Sequence, residues 1–143
     1  MTKSRALLAA AMAVAVTGAG GMTLAATAAS GGGKVMATEG TPKEFSLVPK
    51  PTSISAGKVK FTVPNKGKLP HELVVIKTNT PPGKLPIDSD GEASEKGAVG
   101  ETGDIKPGAT KTVTLSLKKG KYALICNLPG HYKGGMYAGL TVK

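Results

Sequence analysis

Cys126-Asn-Leu-Pro-Gly-His131-Tyr-Lys-Gly-Gly-Met136, or CNLPGHYKGGM, decides the reading of this 143-residue chain. The stretch gathers the only cysteine, one of only two histidines and a methionine on a single short segment near the C-terminus. A thiolate, two imidazoles and a weak axial thioether make a ligand set that copper accepts in both of its common oxidation states. Cys126 offers the thiolate, His131 an imidazole and Met136 the axial sulfur. The second imidazole has one candidate, His71, in KLPHELVVIK at the entry to a run that reads as a β-strand. A site pinned from two distant segments is expected to be rigid, which suits electron transfer.

Taken singly, each of these residues has a plainer reading. A lone cysteine is commonly an inert core residue, a strand histidine a satisfied core or edge residue, a loop histidine an exposed one, and a methionine before a strand core filler. Their coincidence favours ligation. Strand alternation puts Tyr122, Leu124 and Cys126 on one face, with the thiol directed inward, and gives His71 the parity of Leu73 and Val75. Pro129 and Gly130 suit a tight turn that returns the His131 ring toward the cysteine.

An upstream histidine opening a strand, followed by Cys, His and Met spaced C-x4-H-x4-M, resembles the cupredoxins, the small type 1 blue copper proteins. The loop spacing is similar to that of their rusticyanin- and auracyanin-like members, and the resemblance runs from about Glu44 to Val142. It implies an all-β, Greek-key β-sandwich of one domain. It further implies one type 1 copper ion held by His71, Cys126, His131 and Met136, and single-electron transfer between redox partner proteins. Electrons are then expected to leave through the edge of His131, rimmed by Leu69, Pro70, Leu128, Pro129 and Tyr132. One position departs from the pattern. Many cupredoxins follow the upstream histidine with Asn or Ser, which ties the two ligand loops together, whereas this chain has Glu72. Asn127 is the candidate for that tie, and a Glu72 carboxylate close to the metal would lower the reduction potential.

Composition sets the surroundings. Lys3 and Arg5 precede the apolar run Ala6 to Val16, and small residues follow to Ala28, the layout of a secretory signal peptide over residues 1–28. The competing reading is a retained membrane anchor, for which alanine, glycine and threonine are poor material. Residues 29–42, with Gly31, Gly32 and Gly33, read as a flexible linker, and 43–143 as the copper-binding domain. One cysteine cannot form a disulfide within the chain, and metal ligation protects a thiol in an exported, periplasmic or cell-surface protein. The formal charge is +10, and +8 without Lys3 and Arg5, which suits an acidic partner or an anionic surface and equally suits lysines that simply solvate exposed strand faces and edges. Scattered lysines without interleaved aromatic residues argue against nucleic acid. Lys66, Lys68 and Lys133 flank the ligand segments. The expected state is a monomer, with membrane association only through an uncleaved N-terminus.

Short β-rich runs alternate with Gly, Pro and Asn punctuation. The expected strands are 44–48, 58–63, 72–78, 110–117, 121–126 and 137–142, each with one buried face. KKGK at 118–121 reads as a hairpin turn joining two of them. Residues 79–105 read as a long acidic loop with a helical turn near 92–96, and DSDGEASE lacks the spacing of a calcium loop.

An electron carrier is therefore the expected function, and an enzyme is not. A copper oxidase or nitrite reductase needs a second copper centre with further histidines, and both histidines are already assigned. A periplasmic copper carrier or resistance protein is the alternative. Exposed methionines would favour it, and beyond the signal segment the chain holds only Met36 and Met136.

Overall fold

Val59, Phe61 and Val63 alternate with polar neighbours, and all three are fully buried. They lie on the central strand of one of two packed sheets in a computed structural model that describes residues 31–143. The expected signal peptide lies outside those residues. Among the described residues nine strands run in order: β1 (Gly32–Glu39), β2 (Leu47–Lys50), β3 (Ser53–Ile54), β4 (Gly57–Pro64), β5 (Val74–Lys77), β6 (Ala98–Glu101), β7 (Thr110–Leu117), β8 (Gly120–Ile125) and β9 (Tyr137–Val142). A 3-10 turn occupies Pro82–Lys84. The sheets are ordered β2-β1-β4-β7 and β3-β9-β8-β5-β6, and the chain passes repeatedly from one to the other, as a Greek-key sandwich requires. No helix among the described residues is long and apolar enough to cross a membrane.

The inner faces of both sheets form the main core, in which Phe61, Val63, Leu73, Val75, Leu124, Cys126 and Met136 meet. A second cluster covers the outer face of the five-stranded sheet. Val74, Ile76, Ala123 and Ile125 point outward there and are closed over by Leu85, Ala93 and Tyr132. Strands buried on both faces read as unbroken apolar runs, hence VVI in β5 and ALI in β8.

Four expectations change. The linker assigned to 29–42 contains β1, which pairs parallel with β4 in the register Gly32↔Lys58 to Met36↔Thr62 and antiparallel with β2. The glycines there serve close approach: a Cβ on Gly32 would run into the Lys58 backbone, and its φ of +105° is one that other residues rarely adopt. KKGK closes no hairpin. Strand β7 pairs with β4 in one sheet and β8 with β5 and β9 in the other, so the turn is a corner between sheets. The Tyr122 hydroxyl pins that corner by donating to the Lys118 carbonyl at 2.7 Å. The first expected strand, 44–48, is displaced to Leu47–Lys50 because the residues before it form a loop that reaches the site. Around 92–96 there is no helical turn. Ala93 bridges to Ile87, and the next residues lead into β6, which pairs with β5.

Candidate metal centre

Cys126 directly follows β8 and His71 stands just ahead of β5, its neighbour in the sheet, so strand pairing brings the two segments together. His71 is fully buried and exchanges both backbone hydrogen bonds with Ile105. The loop before it is held by the buried Asn65. Its side-chain amide donates to the carbonyls of Leu69 (2.8 Å) and Ile105 (2.9 Å), and its oxygen accepts from the Gly67 N–H (2.8 Å). On the other segment, the Cys126 N–H donates to the Met136 carbonyl (3.0 Å) and the Met136 N–H to that of His131 (3.2 Å). The His131 N–H donates to Leu128 (2.9 Å), closing the turn expected at Pro129-Gly130. Met136 is fully buried in the same core as Cys126.

Three donor atoms converge. Cys126 Sγ lies 3.3 Å from His131 Nδ1 and 4.0 Å from His71 Nδ1, and the two Nδ1 atoms are 3.1 Å apart. No other group of three His, Cys, Asp or Glu side chains clusters in this way among the described residues. A circle through the three atoms has a radius of about 2 Å, and nitrogen and sulfur donors bind an ion such as zinc at about 2.0–2.3 Å. The residues therefore fit a first-row metal ion, and a set of one thiolate and two imidazoles is the trigonal set of copper.

Two of the three donors have displaced pKa values. Burial pushes the Cys126 thiol up to about 12, while the backbone N–H groups of Leu128 and Glu72 pull the other way, the latter 3.4 Å from Sγ. At neutral pH a cation beside the sulfur is what makes it a thiolate. Burial and then the nearby His71 ring lower the His131 pKa, which keeps its imidazole neutral. His71 Nε2 lies 2.9 Å from Glu44 Oε1. A carboxylate only accepts, so Nε2 carries the hydrogen, and in the neutral ring Nδ1 keeps its lone pair toward the cluster. The Glu44 carboxyl is held below its usual range, first by the N–H groups of Lys68 and Leu69, with His71 adding to the effect.

Around this cluster several roles differ from expectation. The side chain of Asn127 does not tie the ligand loops. It binds the segment ahead of β6, accepting from the Ala93 N–H (2.7 Å) and donating to the Ala93 carbonyl (3.0 Å) and Glu95 (2.8 Å). The tie is the Glu72 backbone N–H, which donates to Cys126 Sγ at 3.4 Å. The Glu72 carboxyl is pushed up to about 7 by burial first and by Glu101 next. Tyr132 is not at the rim. It is buried, donates to the Pro82 carbonyl (2.7 Å) and accepts from the Leu85 N–H (2.9 Å). Leu69, Pro70 and Pro129 are exposed and Leu128 is half-buried, as a rim requires. Phe45 joins them, 39 % exposed, with its ring 5.1 Å from that of His131. Sequence reasoning missed Phe45, Glu44 and Asn65. Only Phe45 gave any signal, as one of two phenylalanines in an aromatic-poor chain.

Residues 34–143 match the family model of copper-binding proteins of the plastocyanin/azurin family. No curated protein matches the sequence. Among solved structures, auracyanin from the photosynthetic bacterium Roseiflexus castenholzii is 21 % identical, with 78 % of this chain and 96 % of that one covered and a TM-score of 0.53. Rusticyanin from Thiobacillus ferrooxidans is 21 % identical over 77 % of this chain and 76 % of its own, with a TM-score of 0.55. Auracyanin A, a blue copper protein from Chloroflexus aurantiacus, is 20 % identical over 79 % of this chain and 100 % of its own, with a TM-score of 0.56. At such identities the likeness carries the cupredoxin fold, while the family match carries the metal. Because that match spans the sandwich from β1 to the last residue and encloses the one cluster suited to the ion, the chain belongs to the plastocyanin/azurin family of copper-binding proteins and takes one copper ion as its cofactor.

Proposed function

We propose that this protein is an exported electron carrier whose copper would be held by His71, Cys126, His131 and Met136. The observation that carries the reading is the triangle of Sγ and two Nδ1 atoms, whose size suits one ion and whose corners come from two hydrogen-bonded segments. Copper bound there supplies a one-electron Cu(II)/Cu(I) couple. The residues supply rigidity. Asn65 and the Ile105 bridge fix the His71 loop, and the hydrogen bonds from Cys126 to Met136 and from Met136 to His131 fix the other. Ligands that do not move between oxidation states keep reorganisation small.

His131 is the one member of the cluster that is only half-buried, so its ring edge is the electron exit. Leu69, Pro70, Leu128, Pro129 and Phe45 surround it with an apolar rim suited to brief docking. Lys66, Lys68 and Lys133 are exposed nearby, and with the basic balance of the chain they favour an acidic redox partner. Export rests on the Lys3 to Ala28 segment, which reads as a cleavable signal peptide.

The test is the addition of Cu(II) to the purified domain with Cys126→Ser alongside, followed by cycles of reduction and reoxidation in the presence of a copper chelator. An intense visible thiolate-to-copper band that the variant lacks, retained through the cycles, is expected. Absence of the band would overturn the site. A band lost to the chelator within a few cycles would move the function to copper delivery.

A further inference from the structure

We propose that Glu44 is a positioning residue for the copper ligand His71, and that its charge biases the centre toward Cu(II). The inference rests on the reading of the cluster as a copper site. Glu44 lies in the loop between β1 and β2, 27 residues from His71 in sequence. Its carboxylate meets the back of the ring, at Nε2, and leaves Nδ1 to face Cys126 and His131.

The placement is built. Glu44 Oε1 accepts from the N–H groups of Lys68 and Leu69 at 3.0 Å, Oε2 accepts from Lys68 at 3.0 Å, and Oε1 also takes the His71 Nε2–H at 2.9 Å. The carboxylate thus grips the ligand and the loop that carries it. Its side chain is 28 % exposed against 0 % for His71, so the acceptor sits at the boundary between solvent and the buried ring. Gly67 makes room for the pair. A Cβ there would run into Glu44 Oε1 and come within 2.9 Å of His71 Nε2.

Two effects follow. A carboxylate hydrogen-bonded to the outer nitrogen of a metal-binding imidazole fixes the tautomer and ring orientation and raises ligand basicity. It also places negative charge one ring away from the metal, and the more highly charged oxidation state gains more from both. Glu44 thereby lowers the reduction potential, the effect that sequence reasoning attached to Glu72.

The experiment is voltammetry of the copper-loaded wild type, Glu44→Gln, Glu44→Ala and Gly67→Ala, with absorption spectra and with metal-free unfolding curves to confirm folding. Gln keeps the shape and an acceptor oxygen but removes the charge, so a purely structural role predicts no change. We expect Glu44→Gln to raise the potential by a tenfold change in Cu(II)/Cu(I) preference, which is about 59 mV for a one-electron couple. Glu44→Ala and Gly67→Ala should shift it in the same direction, and in the Cu(I) form both should speed solvent exchange of the His71 Nε2 proton seen by NMR. A blue wild type whose potential moves less than twofold in preference in Glu44→Gln and in Gly67→Ala would overturn the role of Glu44 and leave the copper site standing. A wild type without the blue band would overturn the copper reading itself.

Discussion

Glu39 is fully buried at the end of β1, and neither of its carboxyl oxygens has a hydrogen-bond partner. Burial, and secondarily the Glu72 carboxyl, push its pKa up to about 8. An ionised carboxylate without partners is costly inside a sandwich, so at neutral pH the folded protein keeps Glu39 protonated. The consequence for stability has a definite sign. Between its ordinary value of 4.5 and about 8 the folded chain binds a proton that the unfolded chain has released. Stability is therefore full below pH 4.5, falls as pH rises, and levels off above about 8. The loss across pH 5–8 is roughly 3 kcal/mol for this group alone. Denaturant unfolding of the metal-free protein across that range should show the decline, and Glu39→Gln should flatten it. Some slope remains below pH 7, because burial raises Glu72 in the same direction. Equal slopes in the two proteins would show that the Glu39 carboxyl reaches water.

At the scale of elements, the long segment between β5 and β7 serves as a cover. Pro82–Lys84 and Leu85 lie over the outer face of the five-stranded sheet, and the Tyr132 hydroxyl fastens them by two hydrogen bonds. Tyr132 sits one residue after His131, so the same clamp steadies the ligand loop. Tyr132→Phe leaves the buried Leu85 N–H unpaired and should cost about 1–3 kcal/mol in the metal-free protein. A loss below about 0.5 kcal/mol would show that the cover is held by apolar packing alone. The limits of the sequence also show at this scale. Period-two alternation in 59–63 and apolar runs in 73–76 and 122–126 are local signals, and the strands they imply are present. Strand β6, Ala-Val-Gly-Glu, carries no such pattern, because its residues are mostly exposed and it pairs at the sheet's edge. The clustered His71, Cys126 and His131 were legible because the chemistry of copper restricts which side chains serve. Glu44 and Asn65 were not, since an acidic residue and an asparagine in loops look like ordinary surface until folding sets them against a loop they do not adjoin.

For the molecule as a whole, β1 decides where the folding unit begins. Read as a linker, residues 29–42 would be dispensable; as a strand, they complete the smaller sheet. β1 lies between β2 and β4, supplies Val35 and Ala37 to the core, and gives β2 its only strand partner among the described residues. Without it, the backbone edge of β4 loses a partner across Lys58 to Thr62, and the apolar faces of Phe61 and Val63 open toward solvent. Two bared strands and a gap in the core exceed what a domain with a margin of about 5–15 kcal/mol sustains. The Glu44 loop would also lose its anchor, since the Gly40 N–H closes it by donating to the Ser46 carbonyl and the Glu39 carbonyl, at the end of β1, accepts from the Lys66 N–H. A chain starting at Gly31 should unfold in one cooperative transition and turn blue with Cu(II). A chain starting at Lys43 should show neither a cooperative transition nor the copper band. A folded, blue protein from Lys43 onward would mean that β1 is an accessory strand and that the remaining strands close the sandwich by themselves.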